Sequence, residues 1–482
     1  KLGTDYAGLD ILFTSILQTL SLAELGFGSA LVYSMYKPIA EGNDELVSSL
    51  MNYYRKVYRI IGIIISAVGI MLIPFLTIII KDGYPDTINI YILYLLYLAN
   101  TVSSYFLFAY SQSLLTANQR NDVVTKIHLI ANLVMYILQI IVLITLGNYY
   151  IYTLMLLIST LAVNIGANIV AKKKFSQYRC EGILDKEHKN EISKNVKSLI
   201  GHKISGVVLN SADNIVISAF LGLAFVTMYS NYFYVINGIA VILSVCFEAI
   251  TASVGNSIAI EQKEKNYADF LLFSDISDWI IGMCSVCLIG LYQPFIVIWV
   301  GEGLLLPSIT MILFVIYFYV NMIRKMTLTY KDAAGMWWAD FWKPYVGTIS
   351  NVILNIILVQ FIGLNGVVLS SVFAMLFISL PWGAWALHKY YFEISQRKYY
   401  AKLIYHTLLA TTCCAVMFFL GRYVTIGGLA GLIIRLFLSV GISFGVYSIG
   451  FAISKELTGA IGFSKKVFNS VFSRGYEYDK KN

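Results

Sequence analysis

Residues 60–83 read IIGIIISAVGIMLIPFLTIIIKDG, and residues 280–303 read IIGMCSVCLIGLYQPFIVIWVGEG. The two strings align without a gap. Ile60-Ile61-Gly62 falls on Ile280-Ile281-Gly282, Pro74-Phe75 on Pro294-Phe295, and Asp82-Gly83 on Glu302-Gly303. Beyond them, Leu2-Gly3 matches Leu221-Gly222 and Tyr110 matches Tyr330, at a spacing that stays close to about 220 residues. Each string is dominated by an apolar run of roughly 20 residues, which as a helix rising 1.5 Å per residue crosses about 30 Å of hydrocarbon. A duplicated, membrane-spanning half is the usual construction of a secondary transporter.

Composition carries the same message along the whole chain. Apolar residues make up 58% of the 482 and charged residues 13%, and the mean hydropathy is +0.72. So few charges cannot cover the surface of a soluble protein of this size. Apolar runs fall near 9–35, 55–80, 88–112, 123–147, 149–171, 199–221, 224–255, 270–300, 305–329, 343–362, 365–388, 401–421 and 428–453. The run at 199–221 opens the second half, and its counterpart would lie before residue 2. With Lys1 in place of Met, one N-terminal helix is expected to be missing.

The expected fold is an all-α polytopic membrane protein with two parallel, pseudo-symmetric six-helix lobes plus two C-terminal helices, the first helix of lobe 1 being absent. The lobes are read as 1–175, with five of six spans, and 199–392, with six. Residues 176–198 form a cytoplasmic linker, 393–454 two extra spans, and 455–482 a basic cytoplasmic tail. An even number of spans per repeat makes the repeat parallel.

Of the 35 basic residues, only Lys1, Lys81 and Arg422 fall outside when residue 1 is placed outside, and Arg435 lies within a span. The net charge of +8 is therefore a topology signal that puts the C-terminus in the cytoplasm, and nucleic acid is not an expected partner. The outer loops are too short for a catalytic domain. No Walker loop, His-Glu-x-x-His or Gly-x-Ser-x-Gly string occurs, so no enzyme is expected. None of the six cysteines is placed for an outer disulfide. Cys284-x-x-Cys287 reads as small packing residues, and no metal site or cofactor is expected.

Ionisable groups inside a span cost about 2.5–3.5 kcal/mol on insertion scales and are candidate functional residues. Glu24, in Ser21-Leu22-Ala23-Glu24-Leu25-Gly26-Phe27-Gly28-Ser29, is either a cavity carboxylate for a coupling cation or a substrate group, or a structural glutamate. Asp213-Asn214 sits mid-span with the same two readings. Lys203 is either a substrate contact or a snorkelling anchor, and Glu248 is a weaker candidate. Arg324-Lys325 interrupts an apolar run before its inner end, with Lys331 following. Such cations suit an anionic phosphate, ideally through a forked arginine, or serve as positive-inside anchors. Trp337, Trp338 and Trp342 read as an interfacial belt.

The block Leu20–Glu41 (LSLAELGFGSALVYSMYKPIAE) resembles bacterial polysaccharide-biosynthesis flippases, the Wzx-type members of the MOP superfamily. So do Leu2-Gly3-x-x-Tyr6-x-Gly8-Leu9 and Ser211-Ala-Asp-Asn-Ile-Val-Ile-Ser218 followed by Gly222. The resemblance implies a multi-pass protein of the bacterial plasma membrane. It would translocate an undecaprenyl-pyrophosphate-linked oligosaccharide to the outer leaflet, for capsule, exopolysaccharide or O-antigen export. It also implies that Glu24 and Asp213 bind sugar hydroxyls or a coupling H+ or Na+. The implied partners are the polyprenyl-pyrophosphate-linked glycan, membrane lipids and glycan polymerase machinery. A lipid II flippase or a multidrug/cation antiporter would share the fold. A membrane-embedded glycan polymerase or ligase would instead need a long outer loop.

Overall fold

The computed structural model describes residues 3–21, 27–81, 83–336 and 338–454; the side chains of residues 29, 109, 191, 194–195, 197–206, 209–210, 252 and 452–454 lie outside that description. Glu24 and Trp337 fall outside the described residues, as does the tail from 455 onward.

Among the described residues there is no strand. Lipid offers backbone groups no hydrogen bonds, so a spanning segment satisfies its own by coiling into a helix. The helices are α1 (Thr4–Leu20), α2 (Phe27–Ala40), α3 (Asp44–Leu72), α4 (Leu76–Ile79), α5 (Ile90–Phe106) and α6 (Ala109–Ala117). Next come α7 (Asn121–Thr145), α8 (Tyr149–Lys174), α9 (Lys186–Leu221), α10 (Leu223–Ile260), α11 (Lys263–Val300) and α12 (Ser308–Ile323). The last are α13 (Lys325–Ala333), α14 (Lys343–Ile362), α15 (Leu364–Phe373), α16 (Leu380–Leu387), α17 (Arg397–Leu420) and α18 (Gly428–Ser454).

Side-chain caps set several of the starts. Asn43, Asn89, Asn148 and Asp185 each accept from backbone N–H groups in the first turn of α3, α5, α8 and α9, satisfying donors that the helix itself leaves unpaired. The outward face of α7 is apolar, with Ile130 at 63% and Ile144 at 62% exposure. Such a face is stable against lipid and not against water.

Ten described helices are long and apolar enough to cross a membrane, and the pair α5–α6, bent by 51°, brings the number up to 11. Phe108, in the left-handed region at φ 58, makes that bend. Two expected spans fall outside this set. The described parts of the run 9–35 are α1 and α2, with residues 22–26 between them outside the described residues, and the described apolar part of 199–221 is Ser211–Leu221. The duplicated prolines behave differently in the two copies. Around Pro74 the helix tightens into a 3-10 turn over Ile73–Phe75, whereas Pro294 is absorbed within α11.

The chain forms two compact units. The first comprises Lys1–Thr227 and Asn355–Leu364. Its core joins Leu9, Leu12 and Phe13 of α1 to Leu50 of α3 and Tyr94 of α5. Helix α9, read from the sequence as opening the second half, packs along α1 and α2 within this unit. Asn214 of α9 donates to Ser15 Oγ of α1 at 2.9 Å, and the Thr227 hydroxyl donates to the Thr4 carbonyl at 2.7 Å.

The second unit comprises Met228–Leu354 and Asn365–Asn482. Helix α11 is its axis, packed by α12, α17 and α18. Val286, Cys413, Met417, Tyr447 and Phe451 form the apolar contact between α11 and the C-terminal pair. Gly282, the glycine of the repeated Ile-Ile-Gly, lets α18 approach, since a Cβ there would overlap the Tyr447 hydroxyl.

Gly282→Val is therefore expected to destabilise the protein by roughly 1–3 kcal/mol, the usual cost of overpacking. Tyr447→Phe in the same chain should recover part of the loss, read as non-additivity in a double-mutant cycle of thermal unfolding in detergent. Strict additivity would show that the two side chains do not meet.

Candidate functional site

The junction between α12 and α13 carries Arg324 and Lys325. Arg324 closes α12 and donates three hydrogen bonds, all to neutral oxygens. Its Nη2 reaches Asn321 Oδ1 at 2.7 Å, its Nη1 reaches Ser379 Oγ at 2.8 Å, and its Nε reaches the Asn321 carbonyl at 3.3 Å. Ser379 is presented by the π-helical turn Ala374–Ser379 between α15 and α16, a device that recurs at functional positions because it re-aims a side chain. A guanidinium has five N–H donors, so two remain without an acceptor among the described residues. No carboxylate pairs with Arg324 among them.

More positive charge lies close by. Lys331 on α13 donates to both oxygens of Asp340, at 2.9 and 2.7 Å, and Lys343 at the start of α14 donates to Asp340 Oδ2. Lys331, Asp340 and Lys343 are 2%, 0% and 7% exposed. Arg324 and Lys331 are near enough to act on the Lys343 charge, and Arg324 on that of Lys325. Asp332, half exposed, lies 3.6 Å from Lys331. Glu248 and Asp332 are the acids that act on Lys325. The segment around 331–343, read from the sequence as an aromatic belt, thus also builds a buried ion cluster in which cations outnumber carboxylates. Burial pushes the Asp340 carboxyl up, but Lys343 and Lys331 outweigh it and hold it below the ordinary carboxylate value.

Asp213 and Asn214 lie on α9 in the first unit. Asp213 is 5% exposed and accepts at 2.6 Å from Asn355 Nδ2, itself fully buried. Asn214 spends its amide N–H on Ser15, leaving its Oδ1 buried without a hydrogen bond among the described residues, as is the Ser211 hydroxyl one turn earlier. A carboxylate with neighbouring carbonyl and hydroxyl oxygens is a donor set that a hard monovalent cation accepts. These two residues therefore fall together in one unit, while Arg324 and Lys325 belong to the other. Lys203 lies on α9, with its side chain outside the described residues, and Glu24 lies outside them altogether.

No family model and no curated protein matches the chain. Its backbone does match solved structures. Lipid II flippase MurJ, in an inward closed conformation, matches with TM-score 0.67 and 18% identity over 93% of this chain and 94% of that one. An inward-facing multidrug resistance MATE family transporter of the MOP superfamily matches with TM-score 0.63 and 16% identity over 80% and 91%. The chain has the MurJ and MATE transporter fold. VcmN, a MATE transporter of Vibrio cholerae, matches with TM-score 0.52 and 15% identity over 82% and 90%. These neighbours are transporters and flippases, and at such identities they speak to the fold alone.

Within this fold, two charged clusters escaped the sequence reading. Asp10 on α1 accepts from the Tyr97 hydroxyl at 2.5 Å, which lies 3.2 Å from that of Tyr149. Asp275 and Asp278 of α11 face Lys402 and His406 of α17. All three carboxylates lie in runs already assigned as spans. The cost of an ionisable group in a span was signal enough to single them out.

Asp340→Asn leaves two buried ammonium groups short of a carboxylate, at an expected cost of about 3–5 kcal/mol. Because the folded carboxyl titrates below the unfolded one, its contribution is present above roughly pH 4 and is lost as pH falls through the folded value. Thermal unfolding against pH should show the wild type falling on acidification, and the variant starting lower and falling less. Equal stability of the two at neutral pH would refute the cluster's structural role.

Proposed function

We propose that the chain is a flippase for an undecaprenyl-pyrophosphate-linked oligosaccharide, moving it from the cytoplasmic to the outer leaflet by alternating access. The observation that carries this reading is Arg324, a forked cation with two donors left over and no carboxylate among the described residues, and Lys325, Lys331 and Lys343 around it. A diphosphate is the ligand such a group suits, because charge-assisted, forked hydrogen bonds match its oxygens. Lys203 would add a cation on α9. Asp213 and Glu24 would bind sugar hydroxyls or the coupling H+ or Na+. The glycan polymerase machinery would receive the product on the outer side.

A lipid II flippase is the second reading, and one observation favours it over the antiporter. The MurJ match extends over 93% of the chain and so reaches into the C-terminal helix pair, whereas the first MATE match covers 80%. A cationic-drug antiporter would gain nothing from an uncompensated Arg324.

The test is complementation of a bacterium lacking its own capsule or O-antigen flippase, with surface glycan as the readout. Wild type should restore it. Arg324→Gln at equal expression should lower apparent substrate affinity about 10- to 100-fold, the equivalent of one charge-assisted hydrogen bond of roughly 1.5–3 kcal/mol. Arg324→Lys, which keeps the charge and loses the fork, should fall between. Rescue of a strain lacking its lipid II flippase would move the substrate to that branch. Full rescue by Arg324→Gln, or resistance to cationic drugs in place of glycan recovery, would overturn the proposal.

A further inference from the structure

The C-terminal pair α17–α18 has no counterpart in the repeat, yet its contact with α11 holds a buried acid–base cluster. Asp275 and Asp278, three residues apart, share one face of α11. Lys402 and His406, four apart, share the facing side of α17. Asp275 is fully engaged, with Lys402 Nζ donating to Oδ2 and His406 Nε2 lying 3.2 Å from Oδ1. Asp278 is 5% exposed, and no hydrogen-bond donor reaches it among the described residues.

The groups around Asp278 are committed elsewhere. From α12, the Tyr319 hydroxyl donates to Thr407 Oγ1 at 3.0 Å. From α17, the Tyr399 hydroxyl pairs with Thr327 Oγ1 at 3.2 Å. From α18, the Tyr447 hydroxyl points to the His406 carbonyl at 3.5 Å. All three lie near enough to feel the Asp278 charge. Cys413 and Cys414 of α17 sit beside Tyr447. On the remaining neighbours, Tyr330 of α13 and His388 after α16 turn their rings to Phe270, two turns back along α11. Lys402 is the cation that acts on Asp278, and it is bonded to Asp275.

We propose that Asp278 is a proton-binding site whose occupancy sets the charge of the surface on which α17 and α18 dock. A carboxylate 5% exposed with no donor among the described residues is costly to keep charged, and a second one at Asp275 adds repulsion. One bound proton removes both costs and leaves Asp275 balanced by Lys402. When that proton leaves for water, the single ammonium of Lys402 must serve two carboxylates, and the seam between α11 and α17 loses its balance. The site makes no use of the substrate assignment and stands whichever solute the chain moves.

The test uses the full chain in lipid nanodiscs and infrared absorption of protonated carboxyl groups. Wild type at neutral pH should show a protonated-carboxyl band that Asp278→Asn removes and Asp278→Glu shifts. Asp278→Asn, which mimics the protonated side chain, should keep the wild-type thermal midpoint. Asp275→Asn, which strands Lys402, should lower the midpoint. If Asp278→Asn fails to fold, the Asp278→Glu shift alone decides. An unchanged band in both variants would overturn the proposal. So would a thermal midpoint that rises with Na+ over choline in wild type and not in Asp278→Asn, because the site would then hold a metal cation.

Discussion

Charge burial in a membrane has to be settled locally, because hydrocarbon supplies neither water nor counterions. Asp340 shows the rule at its fullest. It is completely buried, held by Lys331 and Lys343, and it ties the end of α13 to the start of α14. Asp275 joins α11 to α17 in the same way. Asp213 and Asp10 accept instead from the neutral donors Asn355 and Tyr97. Each of these pairs is an attachment point between helices whose outward faces would otherwise slide freely in lipid, where no hydrophobic force drives helices together.

Against that background, two groups stand apart. Arg324 has oxygen partners and no carboxylate, and Asp278 has no donor at all among the described residues. A folded chain tolerates such groups only when something outside the chain completes them or a proton neutralises them. They differ in sign and in setting. Arg324 sits where one helix gives way to another and beside a widened helical turn. Asp278 sits within the continuous helix α11, under two helices that belong to neither repeat.

The repeat was legible because duplication copies residues that obey local geometry. Gly3 and Gly222 match in the sequence, and both adopt a positive φ, near 102° and 96°, at helix starts. What the two copies pack against was not legible. Gly62 meets Tyr105 and Phe106 of α5, whereas Gly282 meets Tyr447 of α18. The same residue in the same local setting acquires different neighbours. Likewise, Arg324 and Asp213 were singled out because a charge in an apolar run is conspicuous, but their partners Ser379 and Asn355 are ordinary polar residues far along the chain.

By itself, the sequence determined that the chain is all-helical and crosses the membrane many times, because hydropathy and capping act within a few residues. It also marked which spans carry charge. Only the tertiary structure decided which charges are compensated. Lys402 lies 127 residues from Asp275, and nothing local to either residue encodes the other. Compensation falls off over a few ångströms in space, a distance that says nothing about separation along the chain, so the balanced carboxylates and the two unbalanced groups could be told apart only after the helices had been packed.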